Sequence, residues 1–271
     1  MIQDNKFQLK DAYGVDDLRR ILELLRSEDG CPWDRVQTHQ TIRANLLEEA
    51  YEAADAIDQS DDTALCEELG DVLLQVVFHA RMAEEAGSFD LDQVADGVCK
   101  KLILRHPHVF GDVQADTPEQ VLTNWEQIKQ VEKHQETATA TLESVPHAFP
   151  ALMRAQKVQK RAGKAGFDWP DIQGALDKIP EETAELKEAL TSGDREAVSE
   201  EMGDLFFAAV NVARFAGVDA EEVLQRSTDK FIRRFAGLEA LAAERGLDMK
   251  KASLQELDEL WDAVKARRAG E

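Results

Sequence analysis

The stretch EEAYEAAD at positions 48–55 has a counterpart in EETAELKE at 181–188. Each is followed nineteen residues on by acids that lead into an apolar run, EELGDVLLQVV from Glu67 and EEMGDLFFAAV from Glu200. With Glu49 set against Glu182, the pairs Glu52/Glu185, Glu68/Glu201 and Asp71/Asp204 fall into register without a gap. Further along, KKLILRH (100–106) answers DKFIRRF (229–235), and NWEQIKQ (124–130) answers LWDAVKA (260–266). The spacings there differ by a few residues, as loops between shared helices allow. Self-similarity of this kind means two copies of one folding unit. Each copy spans roughly 100–110 residues, near ordinary domain size.

The repeated unit reads as helix. VDDLRRILELLRS (15–27) puts Leu18, Ile21, Leu22 and Leu25 on one stripe, and TIRANLLEEAYEAADAI (41–57) does the same with Ile42, Leu46, Ala50, Ala53 and Ile57. Further helices are predicted over 62–87, ending at Gly87, over 91–106, stopped by Pro107, and over 117–133, where Thr117 and Pro118 suit a helix start. HQETATATLESVPHAFP (134–150) has two prolines and no sustained apolar stripe, and it reads as a linker. Helices then resume over about 151–163, 174–191, 194–216, 219–245 and 253–268. No segment alternates convincingly with the period of a strand. The expected fold is all-α: two tandem helical-bundle domains, residues 1–133 and 151–271, joined by the linker 134–150.

Charge narrows the possible partners. The chain has 32 basic and 54 acidic residues, a formal charge of −22. That field repels nucleic-acid phosphates, whereas a smaller anion can still bind through a metal ion. Cys31, Cys66 and Cys99 are too few and too scattered for a disulfide framework or a zinc cage, so a reducing cytoplasm is expected. The opening MIQDNKFQLKDAYG lacks the apolar core of a signal peptide, and no apolar run approaches the ~20 residues of a membrane span.

The carboxylates carry the chemistry. Residues three and four apart share a helix face, so Glu48, Glu49 and Glu52 meet on one helix and Glu68 and Asp71 on the next. If those helices are antiparallel neighbours, each copy gathers four acids that repel one another unless a cation lies between them. An all-oxygen set suits Mg²⁺ first and Mn²⁺ second, with the coordination completed by water and substrate phosphates. A solvated face is the ordinary reading of a Glu run. Against it stand the recurrence at matched spacing and the position of Asp71 and Asp204 directly before apolar runs. Lys101 and Arg105, with Lys230, Arg233 and Arg234 in the second copy, either clamp phosphates or line a solvated face. Trp125 and Trp261 either stack on a base or pack in a core. Asn211, polar within FFAAVNVARF, either touches a ligand or is a bonded core amide. The two histidines of HPHVF (106–110) lack a third ligand and read as a loop.

These residues also match a family. The pattern E-E-x-x-E followed by E-x-x-D resembles the all-α nucleoside triphosphate pyrophosphohydrolases. GCPWDRVQTHQTI, EELGDVLLQVVFHARMAEE, LRHPHVFGD, PALMRAQKVQKRAGKAGFDW and KFIRRF resemble the two-domain MazG proteins in particular, over most of the chain. The resemblance implies Mg²⁺-dependent hydrolysis of nucleoside triphosphates to monophosphate and pyrophosphate, breadth over bases, and a homodimer. By position, it makes Glu182, Glu185, Glu201 and Asp204 metal ligands in the second copy, and Glu49, Glu52, Glu68 and Asp71 in the first. Glu48 and Glu181 would serve a metal or the attacking water. Lys178, Lys230, Arg233, Arg234 and Trp261 fall where the family contacts triphosphate and base, with Lys101, Arg105 and Trp125 as counterparts. The cations are not duplicated faithfully: Lys178 aligns with Asn45 and Arg233 with Leu104, which favours the second copy as the main enzyme. Pro180, inside a predicted helix, either starts that helix or kinks it beside the acids. The rival readings are a narrow pyrophosphatase for dUTP, other dNTPs or damaged nucleotides, and a helical scaffold that no longer catalyses. A ferritin-like di-iron bundle would need E-x-x-H, which the chain lacks.

Overall fold

The computed structural model describes residues 7–113 and 137–268, and between them only positions 117, 120, 121, 125 and 128; for 267 and 268 it describes the backbone. The chain divides into two compact units, Met1–Glu132 and Lys133–Glu271. Among the described residues there is no strand, and none of their helices is long and apolar enough to cross a membrane. The predicted helix over 117–133 lies largely outside the described residues.

In the first unit the order is α1 (Val15–Leu25), α2 (Pro32–Arg35), α3 (Arg43–Gln59), α4 (Asp62–Glu85), α5 (Leu91–Arg105) and α6 (Pro107–Phe110). Helices α3 and α4 form a tight hairpin. Ser60 closes α3 in the left-handed conformation, and the Asp61 side chain accepts from the amides of Thr63 and Ala64 to start α4. The stripe of α1 lands on α4: Leu22 joins Ile42, Val77, Phe78 and Met82 in the core, with Leu18, Ile21 and Leu74 against them. Arg26 ties the α2 loop down by donating to the Asp34 carbonyl, and it pairs with Glu85 at 2.8 Å.

The second unit runs α7 (Ala138–Glu143), α8 (Ala151–Lys164), α9 (Ile172–Ser192), α10 (Arg195–Phe215), α11 (Ala220–Glu244) and α12 (Leu254–Arg268). It has the same hairpin in α9 and α10. Gly193, at φ 73°, and the Asp194 cap make the turn. Helix α8 lies against α10, and α11 pairs with α12 through Leu238, Leu241, Ala242, Leu260 and Val264. Helix α9 runs through Pro180; its start is eight residues earlier, where the Asp171 side chain accepts from the Gln173 amide. The proline therefore sits mid-helix, where it removes one donor and crowds the carbonyl of Leu176. Part of the stretch 134–150 is built into this unit. Thr137 caps α7, Val145 is fully buried, and Arg161 of α8 donates to the Thr141 carbonyl and to Ser144 Oγ. A long-range arginine, which leaves no periodic signal, is what orders that segment.

Candidate functional site

The α9–α10 hairpin brings five acids together. One oxygen each from Glu181, Glu182 and Glu185 lie within 4.8 Å of one another, and so do oxygens of Glu182, Glu201 and Asp204. The two triads share Glu182, which is 6% exposed, whereas Glu181, Glu185 and Asp204 are open to solvent. Helical spacing explains the set. Glu182 and Glu185 are three apart on α9, Glu201 and Asp204 three apart on α10, and the short turn faces the two rows. Lys178, one turn before Glu182 on α9, holds its ammonium 2.6 Å from Glu182 Oε1 and 2.9 Å from Glu181 Oε1.

The electrostatics are those of crowded acids. Lost solvation, then the charges of Glu185, Asp204 and Glu182, push the Glu201 carboxyl above its ordinary pKa. Lost solvation, then Glu182 and Glu181, do the same to Glu185, although Lys178 opposes it. Hydrogen bonds to Glu182 and then Glu181 hold the Lys178 ammonium well above the usual lysine range. In the first unit Glu49, Glu52 and Glu68 cluster within the same 4.8 Å. Asp71 is outside that triad, yet its charge helps raise Glu49 and Glu68, after lost solvation in both cases. Oxygen-only donor sets this close fit a hard divalent cation.

The other expected residues are placed differently. Lys230 and Arg233 are exposed on α11 and Arg234 is half-buried there, and none of the three forms an ion pair among the described residues. Trp261 packs beside the α11–α12 core with its ring 5.3 Å from Phe231. Lys101 is exposed on α5, and the Arg105 guanidinium lies 5.6 Å from the Trp125 ring. Glu48 is exposed on α3 and is not in the described triad.

Beside the carboxylates the second unit has a further feature that was not visible in the sequence. A pocket of about 370 Å³ opens between α8 and α10, lined by Gln159, Phe167, Trp169, Phe207, Asn211 and Arg214 among others. Arg214 pairs with Asp168 at 2.5 Å and 2.9 Å and donates through Nε to Asn211 Oδ1 at 2.9 Å. This latch holds the GFDW loop over α10. The partners are 46 residues apart, so no local pattern announces them.

Comparison with known proteins bears directly on these hairpins. The MazG nucleotide pyrophosphohydrolase domain model matches residues 37–110 and 172–236, the two hairpins with the helices that follow them. The chain belongs to the MazG family. It is 46% identical over 256 residues to a protein named nucleoside triphosphate pyrophosphohydrolase from Escherichia coli (strain K12), covering 93% of this chain and 97% of that one. It is 45% identical over 250 residues to the nucleoside triphosphate pyrophosphohydrolase/pyrophosphatase MazG of Thermotoga maritima, covering 92% and 95%. A nucleoside triphosphate pyrophosphohydrolase of Mycobacterium tuberculosis is 44% identical over 138 residues, covering 50% and 41%. The family resemblance read from the motifs and the all-α tandem MazG architecture are both borne out.

Proposed function

We propose that this MazG protein hydrolyses nucleoside triphosphates to the monophosphate and pyrophosphate, with Mg²⁺ or in its place Mn²⁺, chiefly at the α9–α10 hairpin. The observation that carries the reading is the pair of carboxylate triads sharing the buried Glu182. Glu182, Glu185, Glu201 and Asp204 would hold the cation, which when bound neutralises phosphoryl charge and activates water. Family membership and the names of the relatives support the substrate class.

The chain's own part follows from charge and position. Water attacks the α-phosphorus, the bond from that phosphorus to the bridging oxygen of the β-phosphate breaks, and pyrophosphate leaves. Glu181, exposed and at the rim of the cluster, takes the proton of the attacking water. Lys178, which pairs with Glu182, would offer its ammonium to the triphosphate if a cation held that carboxylate. Lys230, Arg233 and Arg234 offer further positive charge from α11. The first unit keeps a carboxylate triad but has Asn45 and Leu104 where the second has Lys178 and Arg233, so it turns over more slowly.

The reading extends to breadth over bases, a role in clearing nucleotide pools, a cytoplasmic location and a homodimer. An exposed apolar strip on the second hairpin, Leu190, Met202 and Phe206, supports the dimer, which size-exclusion chromatography tests. The decisive experiment for the activity is product analysis of ATP turnover with Mg²⁺. AMP and pyrophosphate are expected; ADP and orthophosphate would overturn the reading.

A further inference from the structure

His39 and His79 come from different elements of the first unit, 40 residues apart, and bring their Nδ1 atoms to 2.7 Å. The ring planes are 3° from parallel and the ring centres are 5.1 Å apart. That separation is the nitrogen contact plus the two ring radii, so the centres and both nitrogens fall on one line. The rings therefore lie side by side in one plane, nitrogen facing nitrogen, and not face to face. Lone pairs aimed at each other along a line do not converge on a shared metal ion. They fit a single N–H···N hydrogen bond, in which one Nδ1 donates and the other accepts.

The contact ties a turn to a helix. His39 is exposed within the turn that enters α3, where the amides of Thr41 and Ile42 donate to the Thr38 carbonyl and that of Arg43 to the Gln40 carbonyl. His79 is set in α4 between the buried Phe78 and Ala80. Its Nε2 is buried and meets no partner among the described residues. A doubly protonated His79 would carry one N–H there with no acceptor and another at Nδ1. His79 therefore stays neutral while it is docked. A proton arriving at the pair rests on the exposed His39, whose Nδ1–H still donates to the bare Nδ1 of His79.

We propose that His39 and His79 form an acid-released clasp on the first unit, which holds the turn on α4 while one proton lies between the two Nδ1 atoms and frees it when both rings are protonated. Two N–H groups of like charge would then face each other at hydrogen-bond distance. Burial, then the charge of His39, push His79 below the ordinary histidine value. Its contribution to stability is accordingly present above the unfolded value, near 6.5, and lost as pH falls through the folded one. The freed turn leads into α3, which carries Glu49 and Glu52, so acid loosens one side of the first acid cluster.

Charged groups on the elements around α4 are engaged elsewhere. Arg26, after α1, pairs with Glu85, Arg81 of α4 itself with Glu84 and Glu85, and Arg19 of α1 with Asp92 of α5. On α3, Arg43 and Glu48 are exposed, and Glu49 and Glu52 lie in the acid cluster. Among the described residues, His39 is the charge that lowers His79. The duplication supplies an internal control. In the register that pairs Asp71 with Asp204, His79 corresponds to Val212 and His39 to Ile172, so the second unit has no such clasp.

The test uses the full chain with its histidines labelled with ¹⁵N. At pH 8 a scalar coupling across the hydrogen bond should join the Nδ1 signals of His39 and His79, and at pH 5 it should be gone. Hydrogen exchange of the Thr41, Ile42 and Arg43 amides, corrected for its intrinsic pH dependence, should lose about tenfold or more in protection over the same range, as for one hydrogen bond lost. The second unit should keep its protection. In His39→Gln, and independently in His79→Gln, the loss at the turn should be less than about threefold, because neither variant can gather two protons. Absence of the coupling at pH 8 would overturn the clasp. So would a coupling that persists at pH 5, or an undiminished loss of protection in both variants.

Discussion

Lys178 Nζ lies 2.6 Å from Oε1 of Glu182, the most buried acid of the cluster, one helical turn away on the same face of α9. A cation on Glu182 and this ammonium compete for one carboxylate. Lys178→Met should therefore tighten Mg²⁺ binding measured by calorimetry. It should also lower kcat/KM for ATP by roughly 10- to 100-fold, as expected for losing a charged hydrogen bond to phosphate. Weaker Mg²⁺ binding in the variant would mean that Lys178 organises the acids and does not compete for them.

The two hairpins should respond unequally to the same loss. Glu201→Ala or Asp204→Ala removes an oxygen from the triad that holds Glu182, and kcat/KM should fall by about a thousandfold or more, as when several kcal/mol of metal-based charge stabilisation disappear. Glu68→Ala, at the position corresponding to Glu201, should cost less than about threefold, within the range of changes away from the chemistry. Steady-state kinetics of the three purified variants decides this, and equal losses would make the first unit an equal partner in turnover.

Metal binding should couple to pH in a defined direction. The folded-state values of Glu185 and Glu201 are raised, so their contribution to stability is fully present below their unfolded values, near 4.5, and is lost as pH rises through the folded ones. At neutral pH the crowded carboxylates therefore oppose folding, and a cation relieves them. The rise in Tm on adding Mg²⁺ should be largest at pH 7 and above and should shrink toward pH 5. A rise independent of pH, measured by thermal denaturation, would count against a carboxylate site.

The Arg214–Asp168 latch titrates in the opposite sense. The hydrogen bond from Arg214 holds Asp168 below its ordinary value, although lost solvation opposes it. A lowered carboxylate contributes stability that is present above its unfolded pKa, near 3.8, and lost as pH falls through the folded one. Asp168→Asn should lower Tm at pH 7 and flatten the acid limb of the Tm profile below pH 4. An unchanged limb would show that the latch adds nothing.

Gly174 should break the usual rule for helical glycines. Gly→Ala inside a helix commonly stabilises by up to about 1 kcal/mol, and Gly97→Ala on α5, where a Cβ meets nothing within 4 Å, should do so. At Gly174 a Cβ would lie 2.8 Å from the Trp169 indole. Gly174→Ala should destabilise, by about 1–3 kcal/mol if the ring cannot give way, and should shift the Trp169 emission. Denaturant unfolding of both variants checks the contrast.

Most helices were legible because their faces obey one period. The stripe of Leu18, Ile21 and Leu22 and the acid rows at 49/52 and 182/185 are local patterns, and each pattern names its own burial or its own partners one turn away. The short helices Pro32–Arg35, Pro107–Phe110 and Ala138–Glu143 are too brief to show a period. Pro180 left two readings open, and the cap at Asp171 shows that the helix does not begin at the proline.

The sequence by itself determined the duplication, the helical hairpins and the identity of the acids that face one another, because spacing along a helix dictates which side chains share a face. Tertiary structure alone decided the rest. It left Lys230 and Arg233 exposed on α11, packed Trp261 against Phe231, and latched the GFDW loop to α10 through Arg214. It also opened the pocket at Asn211 where Phe78 closes the other copy. Those outcomes depend on which elements meet in space, and residues brought together from dozens of positions apart leave no periodic trace along the chain.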